Sequence, residues 1–398
     1  MTAIKALVKA ELLLWARDRA KVKIDEAAKA AGVTVDRIEE WESGSDAPTL
    51  PQLRALAKKY HFPLAVFYLQ ETPKDFSPLR DFRRLPHYED ATISANLAFH
   101  IRSAHERRES ALELHHDLRS SPNPFPLTAT PKDDPERVGQ AIRDFLGVDD
   151  HNQKQAARQN RTFDFWRRKM EENDVLVFVV SGPHYAVDLV EMRGFAIAKA
   201  ELPVIVINGR DYTQGGKTFT LLHELTHVML GESALSNGAS EDFSSTQEER
   251  RIERFCDAVA AAALMPRDLV LSFPQVTAAG MRQWRDDDLN TIARAIGVSH
   301  HALLLRLVFL RRASWEFYRA QRERFEAESR TAAQKEEKKV VKIKRPILLM
   351  SWNGRGYTRL VLRSYYDHRI TLNDVSSYLG AKVKHIPALE HAAFQSRD

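Results

Sequence analysis

His223 and His227 stand four residues apart, with Glu224 beside the first, in the run Thr218-Phe-Thr-Leu-Leu-His-Glu-Leu-Thr-His-Val-Met-Leu230. On a helix, two imidazoles at that spacing share a face and can both reach one Zn²⁺, while Glu224 stands beside the open coordination position. Hydrolytic zinc sites take a third protein ligand and leave a place for water. The longer histidine motif of some zinc proteases does not continue here, because the glycine after His227 comes late, at Gly231, and no third His follows at that spacing. A carboxylate is therefore expected. Glu253 lies on a helix expected over 245–265, opened by the capping box Ser245-x-x-Glu248 and stopped by Pro266. Asp257 follows one turn later, placed to hydrogen-bond the outer nitrogen of a ligand imidazole. Glu253 ranks first as third ligand, with Glu248, Glu249 and Asp257 as alternatives. The one cysteine, Cys256, excludes a thiolate cluster and a disulfide framework, so the site is of N/O type. Cys256 itself reads as a small core residue, the alternative being a thiol that masks the zinc.

Such a site implies hydrolysis at a carbonyl: Zn²⁺ brings water's pKa towards neutrality, and Glu224 takes the proton and later delivers it to the leaving amine. The strands around Gly194 to Ala198 or Pro203 to Ile207 are candidates to hold an extended peptide by β-addition.

The elements that must position these residues are a small sheet and a set of helices. Short β-branched runs at Val175–Val180, Ala186–Leu189, Gly194–Ala198 and Pro203–Ile207 read as strands. Helices are expected over 93–118, 134–146, 158–173 and 217–230, and again beyond Pro266 to about residue 330. The fold class is α+β, predominantly helical. Proline- and charge-rich stretches divide the chain into residues 1–72, a helix-turn-helix domain; 73–130, a linker and charged helix; 131–272, the metal-site domain; 273–332, a helical extension; 333–345, a charged connector; and 346–398, a small C-terminal module.

At this point the chain resembles a known family. The metal-helix run above, followed by Ile252-Glu-Arg-Phe-Cys-Asp-Ala-Val-Ala-Ala-Ala-Ala-Leu-Met-Pro266, is similar to the ImmA/IrrE regulatory metallopeptidases, and Met192-Arg-Gly-Phe-Ala196 with Pro203-Val-Ile-Val-Ile-Asn208 matches the sheet before their metal helix. The resemblance covers about residues 160 to 270. It implies a zincin-like domain in which His223, His227 and Glu253 hold zinc and Glu224 is the general base, agreeing with the spacing. Asn is common in the family where this chain has Asp257. The resemblance further implies cleavage of a partner transcriptional repressor, or association with a toxin-antitoxin partner, as a switch of gene expression.

Gly32-Val-Thr-Val-Asp-Arg-Ile-Glu-Glu-Trp-Glu-Ser-Gly44 matches the turn and second helix of an Xre-type helix-turn-helix. That helix ordinarily enters the major groove. Here residues 21–46 carry 4 Lys+Arg against 7 Asp+Glu, a net of −3, and Arg37 alone on the second helix suits a base edge. DNA binding, docking to a similar helix-turn-helix partner and homodimerisation all remain open uses. Residues 301–345 hold 13 Lys+Arg against 6 Asp+Glu, a net of +7 that exceeds the +5 of the whole chain. That segment is the better electrostatic footprint for nucleic acid, or a solvated face. No run approaches the roughly 18 apolar residues of a membrane span, and no secretory signal opens the chain, so a cytoplasmic protein is expected. The peptidase reading competes with a non-proteolytic regulator or antitoxin-like binding protein whose metal site is vestigial, and with hydrolysis of a non-peptide amide. An intact Glu224 favours the peptidase, because a structural zinc needs no base.

Overall fold

The computed structural model describes residues 5–73, 80–81, 93–180, 185–211, 213–236, 247–277, 283–321, 324 and 345–394. They form two compact units, residues 1–78 with 87–105, and residues 79–86 with 106–398.

The first unit is all helical: Ala10–Arg19, Ile24–Ala31, Val35–Ser43 and Leu50–Tyr60, then a short 3₁₀ turn at Leu64–Tyr68. Gly32 ends the second helix at φ 68°, a left-handed conformation that makes the turn into the third. The fourth starts where Gln52 Oε1 accepts the Thr49 N–H at 2.9 Å. Leu13, Ala16, Ile38, Trp41, Leu53, Tyr60 and Phe67 form its core. Each Leu or Ile buried there contributes about 1.5–3 kcal/mol. Arg17 grips Glu42 through Nε at 2.7 Å and Nη2 at 2.9 Å, tying the first helix to the third. Arg102, on the helix Ala95–Asp117, donates to the carbonyls of Arg19 and Tyr60, which the ends of their helices leave unused.

The second unit is built on a five-stranded sheet. Its strands are β1 (Arg80–Asp81), β2 (Leu176–Val180), β3 (Gly194–Ile197), β4 (Val204–Asn208) and β5 (Ala234–Ser236), in the order β1-β5-β3-β4-β2. β2 runs parallel to β4, β3 antiparallel to both β4 and β5, and β1 parallel to β5. β2, β3 and β4 are buried along their whole length, as their unbroken apolar runs require. β4 is bonded on both sides, and β3 is bonded on both sides at Gly194 and Phe195. A peptide therefore cannot add to β4, nor to β3 at those residues. This corrects the expectation of β-addition there, because strand order is set by pairings that no single apolar run specifies.

Ala186–Leu189, expected as a strand, is a loop. Asn208 Nδ2 donates to the carbonyls of Val187 and Met192 at 3.0 and 2.8 Å, folding that segment back on the end of β4. A helix at Asp150–Arg158 stands where none was expected, and the following one is shortened to Thr162–Glu171. The cap at Ser245 and most of the 333–345 connector lie outside the described residues.

Two close approaches set the helical layers. The helices Pro135–Leu146 and Gln247–Leu264 cross where a Cβ on Gly139 would fall 2.8 Å from Ala263 N, so glycine meets the alanine run that lets the backbones near. At β2, Arg167 donates to the carbonyls of Val177 at 2.6 Å and Ser351 at 2.8 Å, and pairs with Glu171 at 2.8 Å. Glu171 Oε2 in turn accepts the N–H groups of Arg355 and Gly356, capping the helix Arg355–Tyr366. The C-terminal helices Arg345–Asn353, Arg355–Tyr366, Leu372–Tyr378 and Ile386–Phe394 are thereby fastened beside β2, one of the sheet's outer strands.

Candidate metal centre

The metal helix, Gln214–Met229, starts where Thr213 Oγ1 accepts the Gly216 N–H at 3.1 Å and stops before Gly231 at φ 71°. Leu221, Leu222 and Leu225 drive one side of it into the core. That orientation turns His223 and His227 towards the helix Gln247–Leu264, whose Ile252, Phe255, Cys256 and Val259 are buried and place Glu253 on the facing side.

His223, His227 and Glu253 converge, each offering a ligand atom within 4.8 Å of the others. His223 Nε2 lies 3.2 Å from His227 Nε2 and 3.5 Å from Glu253 Oε2; His227 Nε2 lies 3.1 Å from Glu253 Oε1. All three are at least nine-tenths buried. Asp257 Oδ1 accepts the Nδ1–H of His223 at 2.9 Å while its side chain reaches solvent. When the ring is neutral, that bond fixes the tautomer in which Nε2 presents a lone pair to the trio. Two imidazole nitrogens and a carboxylate packed this closely out of water repel one another unless a cation or proton lies between them, and the donor set is one Zn²⁺ accepts. The residues present fit the ion.

The electrostatics agree with that fit. Burial alone would strip the proton from His223, but the Glu253 charge and the hydrogen bonds to Asp257 and Glu253 outweigh it and hold the imidazolium well above its usual range. For Glu253, burial disfavours the charge, yet His223 and His227 overcome it and keep the carboxyl far below the ordinary carboxylate range.

Glu224 is fully buried. It packs beneath β3, where a Cβ on Gly194 would fall 2.8 Å from Glu224 Oε1 and 2.8 Å from Thr220 Cγ2. Sequence reasoning missed this close approach; the glycine in Met192-Arg-Gly-Phe is its one signal. Glu248 and Glu249, alternatives for the third ligand, sit in the first turn of their helix and are not part of the trio. Cys256 is buried against Ala234 and Ile252; burial, reinforced by the Glu253 and Asp257 charges, pushes its thiol pKa well up. Among the described residues it joins no metal-holding group.

In the helix-turn-helix unit, Arg37 is held by Glu40 and Asp46, the latter also engaged by Lys5. The only base on the helix Val35–Ser43 is thus already paired with carboxylates, while Asp36 and Glu39 are exposed.

Residues 171–308 match the family model of the IrrE N-terminal-like domain, peptidase family M78, and residues 10–67 match a helix-turn-helix domain. The chain thus carries an ImmA/IrrE-type peptidase-family domain behind a helix-turn-helix domain. The match extends through Val308 and so includes the helix Asp286–Ile296 and most of His300–Phe309. Neither the curated proteins nor the solved structures yield a match to this chain. Among the described residues no single helix is long and apolar enough to cross a membrane.

Proposed function

We propose that this chain is a zinc-dependent endopeptidase that cleaves a partner regulatory protein, a helix-turn-helix repressor or a toxin-antitoxin partner, in the cytoplasm, and so switches gene expression. The observation that carries the reading is the buried convergence of His223, His227 and Glu253 next to a buried Glu224. A zinc ion held by those three supplies Lewis acidity for a scissile carbonyl and for the attacking water. Glu224 accepts the water's proton and returns it to the leaving amine, a role worth about 10²–10⁴ in rate. Asp257 acts through His223, holding its ring and tautomer. Gly194 leaves room for Glu224 to lie under β3. The acidic helix-turn-helix surface, with Arg37 already engaged, favours docking to a protein over reading base edges.

The test incubates the purified zinc-loaded protein with the product of the neighbouring gene and identifies fragments by mass spectrometry. A discrete cut that a chelator abolishes and zinc restores supports the reading. Tight binding of that product without any cut, in protein that holds zinc, favours the non-proteolytic regulator instead.

A further inference from the structure

A cavity of about 420 Å³ opens where the C-terminal helices Arg355–Tyr366 and Ile386–Phe394 meet the end of the helix Thr162–Glu171 and the start of β2. It shares no residue with the metal trio. Its size falls within the range of small-molecule sites. Val175, Leu176, Leu202 and Leu360 give it an apolar floor, and the rings of Tyr366 and Phe394, each about half exposed, form part of its wall.

The polar groups around it are unequal in what they have left to offer. Both oxygens of Glu171 are spent within the chain, on Arg167 and on the N–H groups of Arg355 and Gly356. Asp174 Oδ2 accepts two hydrogen bonds from Asn123, at 2.9 Å each. His115 Nδ1 is within 3.0 Å of Ser120 Oγ, and burial first, then the Arg363 charge, hold its pKa down despite Asp174, so it stays neutral near pH 7. The two arginines on the wall are different. Arg359 donates only Nε, to Ala393 O at 2.8 Å, and Arg363 stands 65% exposed with its one carboxylate contact at 3.8 Å, both among the described residues. They lie one helical turn apart on the same face, about 6 Å along the axis. Cations crowd the neighbourhood: burial, then the charges of Arg359, Arg168 and Arg161, depress the Arg355 guanidinium below its usual range. The cavity therefore combines an apolar interior with a positive rim whose N–H donors are not used up, while Glu171 is fully engaged within the chain and Asp174 is hydrogen-bonded through one of its oxygens.

We infer that this cavity is a binding site for a small organic anion with an apolar or aromatic body, its acidic group held by Arg359 and Arg363 and its body laid on Leu360, Tyr366 and Phe394. Such a ligand would bridge the C-terminal helices and the edge of the sheet that carries the metal helix. The inference is independent of the proposed peptidase activity.

The test uses the full chain and two fluorescent probes of nearly the same shape, anilinonaphthalene sulfonate, which is anionic, and phenyl naphthylamine, which is neutral. The expected result is saturable one-to-one binding of the sulfonate, weakened about tenfold by Arg363→Gln and further by the Arg359→Gln, Arg363→Gln pair, with little change for the neutral probe. Arg363→Gln touches an exposed side chain, so an unchanged melting curve separates lost binding from lost fold. Trp315→Ala is the control, because Phe309 and Trp315 form a second exposed aromatic surface, 54% and 51% accessible. Sulfonate binding that survives the arginine changes, falls with Trp315→Ala, or never saturates would overturn the assignment.

Discussion

The Cα of Gly194 faces Glu224 so closely that any side chain there would meet it, since a Cβ at that position would fall 2.8 Å from Oε1 and 3.0 Å from Cγ. Glu224 is walled in, with no exposed surface, so it cannot swing aside at no cost. Gly194→Ala should therefore shift the carboxylate and cut the cleavage rate by about a hundredfold, as misplacements near an ångström do. Zinc content should stay at the parent's level, because the three atoms nearest that Cβ belong to Glu224 and Thr220 and not to His223, His227 or Glu253. Metal analysis beside the rate assay checks both halves; loss of zinc would place the damage elsewhere.

Asp257 sets the orientation of His223 through a single 2.9 Å hydrogen bond. Asp257→Ala should weaken zinc affinity by about 10–100-fold, and Asp257→Asn by less, since the amide oxygen still accepts the Nδ1–H without the charge. Competition with a chromogenic chelator reads this directly. Equal affinities across all three proteins would mean that the ring is held by its packing alone.

Proton competition should govern metal uptake. In the metal-free protein His223 keeps its proton to a pH well above the usual imidazole range, so below that point a cation must displace it. Affinity should rise with pH until His223 is neutral and then level off, with up to about tenfold lost per unit of acidification below. Calorimetry in buffers of different ionisation heat should register proton release on zinc binding at neutral pH; none would show that His223 is already neutral there.

Glu171 and Arg167 are 7% and 8% exposed and join the C-terminal helices to β2. Glu171→Ala removes the cap of the helix Arg355–Tyr366 and leaves Arg167 short of its carboxylate. A loss of about 3 kcal/mol in urea unfolding is expected, the low end for breaking a buried pair because two carbonyls still hold Arg167. A change below about 0.5 kcal/mol would mean the junction carries no stability.

What could be read from the residues alone follows from how local each signal was. The trio was legible because His223 and His227 declare themselves by one helical turn, and Glu253, ranked ahead of Glu248, Glu249 and Asp257, by having Asp257 one turn later on the same expected helix. β2 and β4 were legible as apolar runs. The helix Asp150–Arg158 was not, for it buries only Gln153 and Ala156 and carries no apolar stripe. Ala186–Leu189 has the composition of a strand, but Asn208, about twenty residues on, takes the carbonyls of its neighbourhood. Gly194 against Glu224, Gly139 against Ala263 and Arg167 against Ser351 all join residues distant in sequence, and a glycine or arginine alone does not say what it will meet.

The central claim is that Glu224 is the base of a zinc endopeptidase. The most direct measurement compares the parent protein with Glu224→Gln, at equal zinc content, for cleavage of the neighbouring gene product in cells and in purified form. The account predicts that both hold about one zinc ion and that the variant cuts at least about a hundredfold more slowly. A variant that cuts as fast as the parent, or a parent that takes up no zinc, would contradict it.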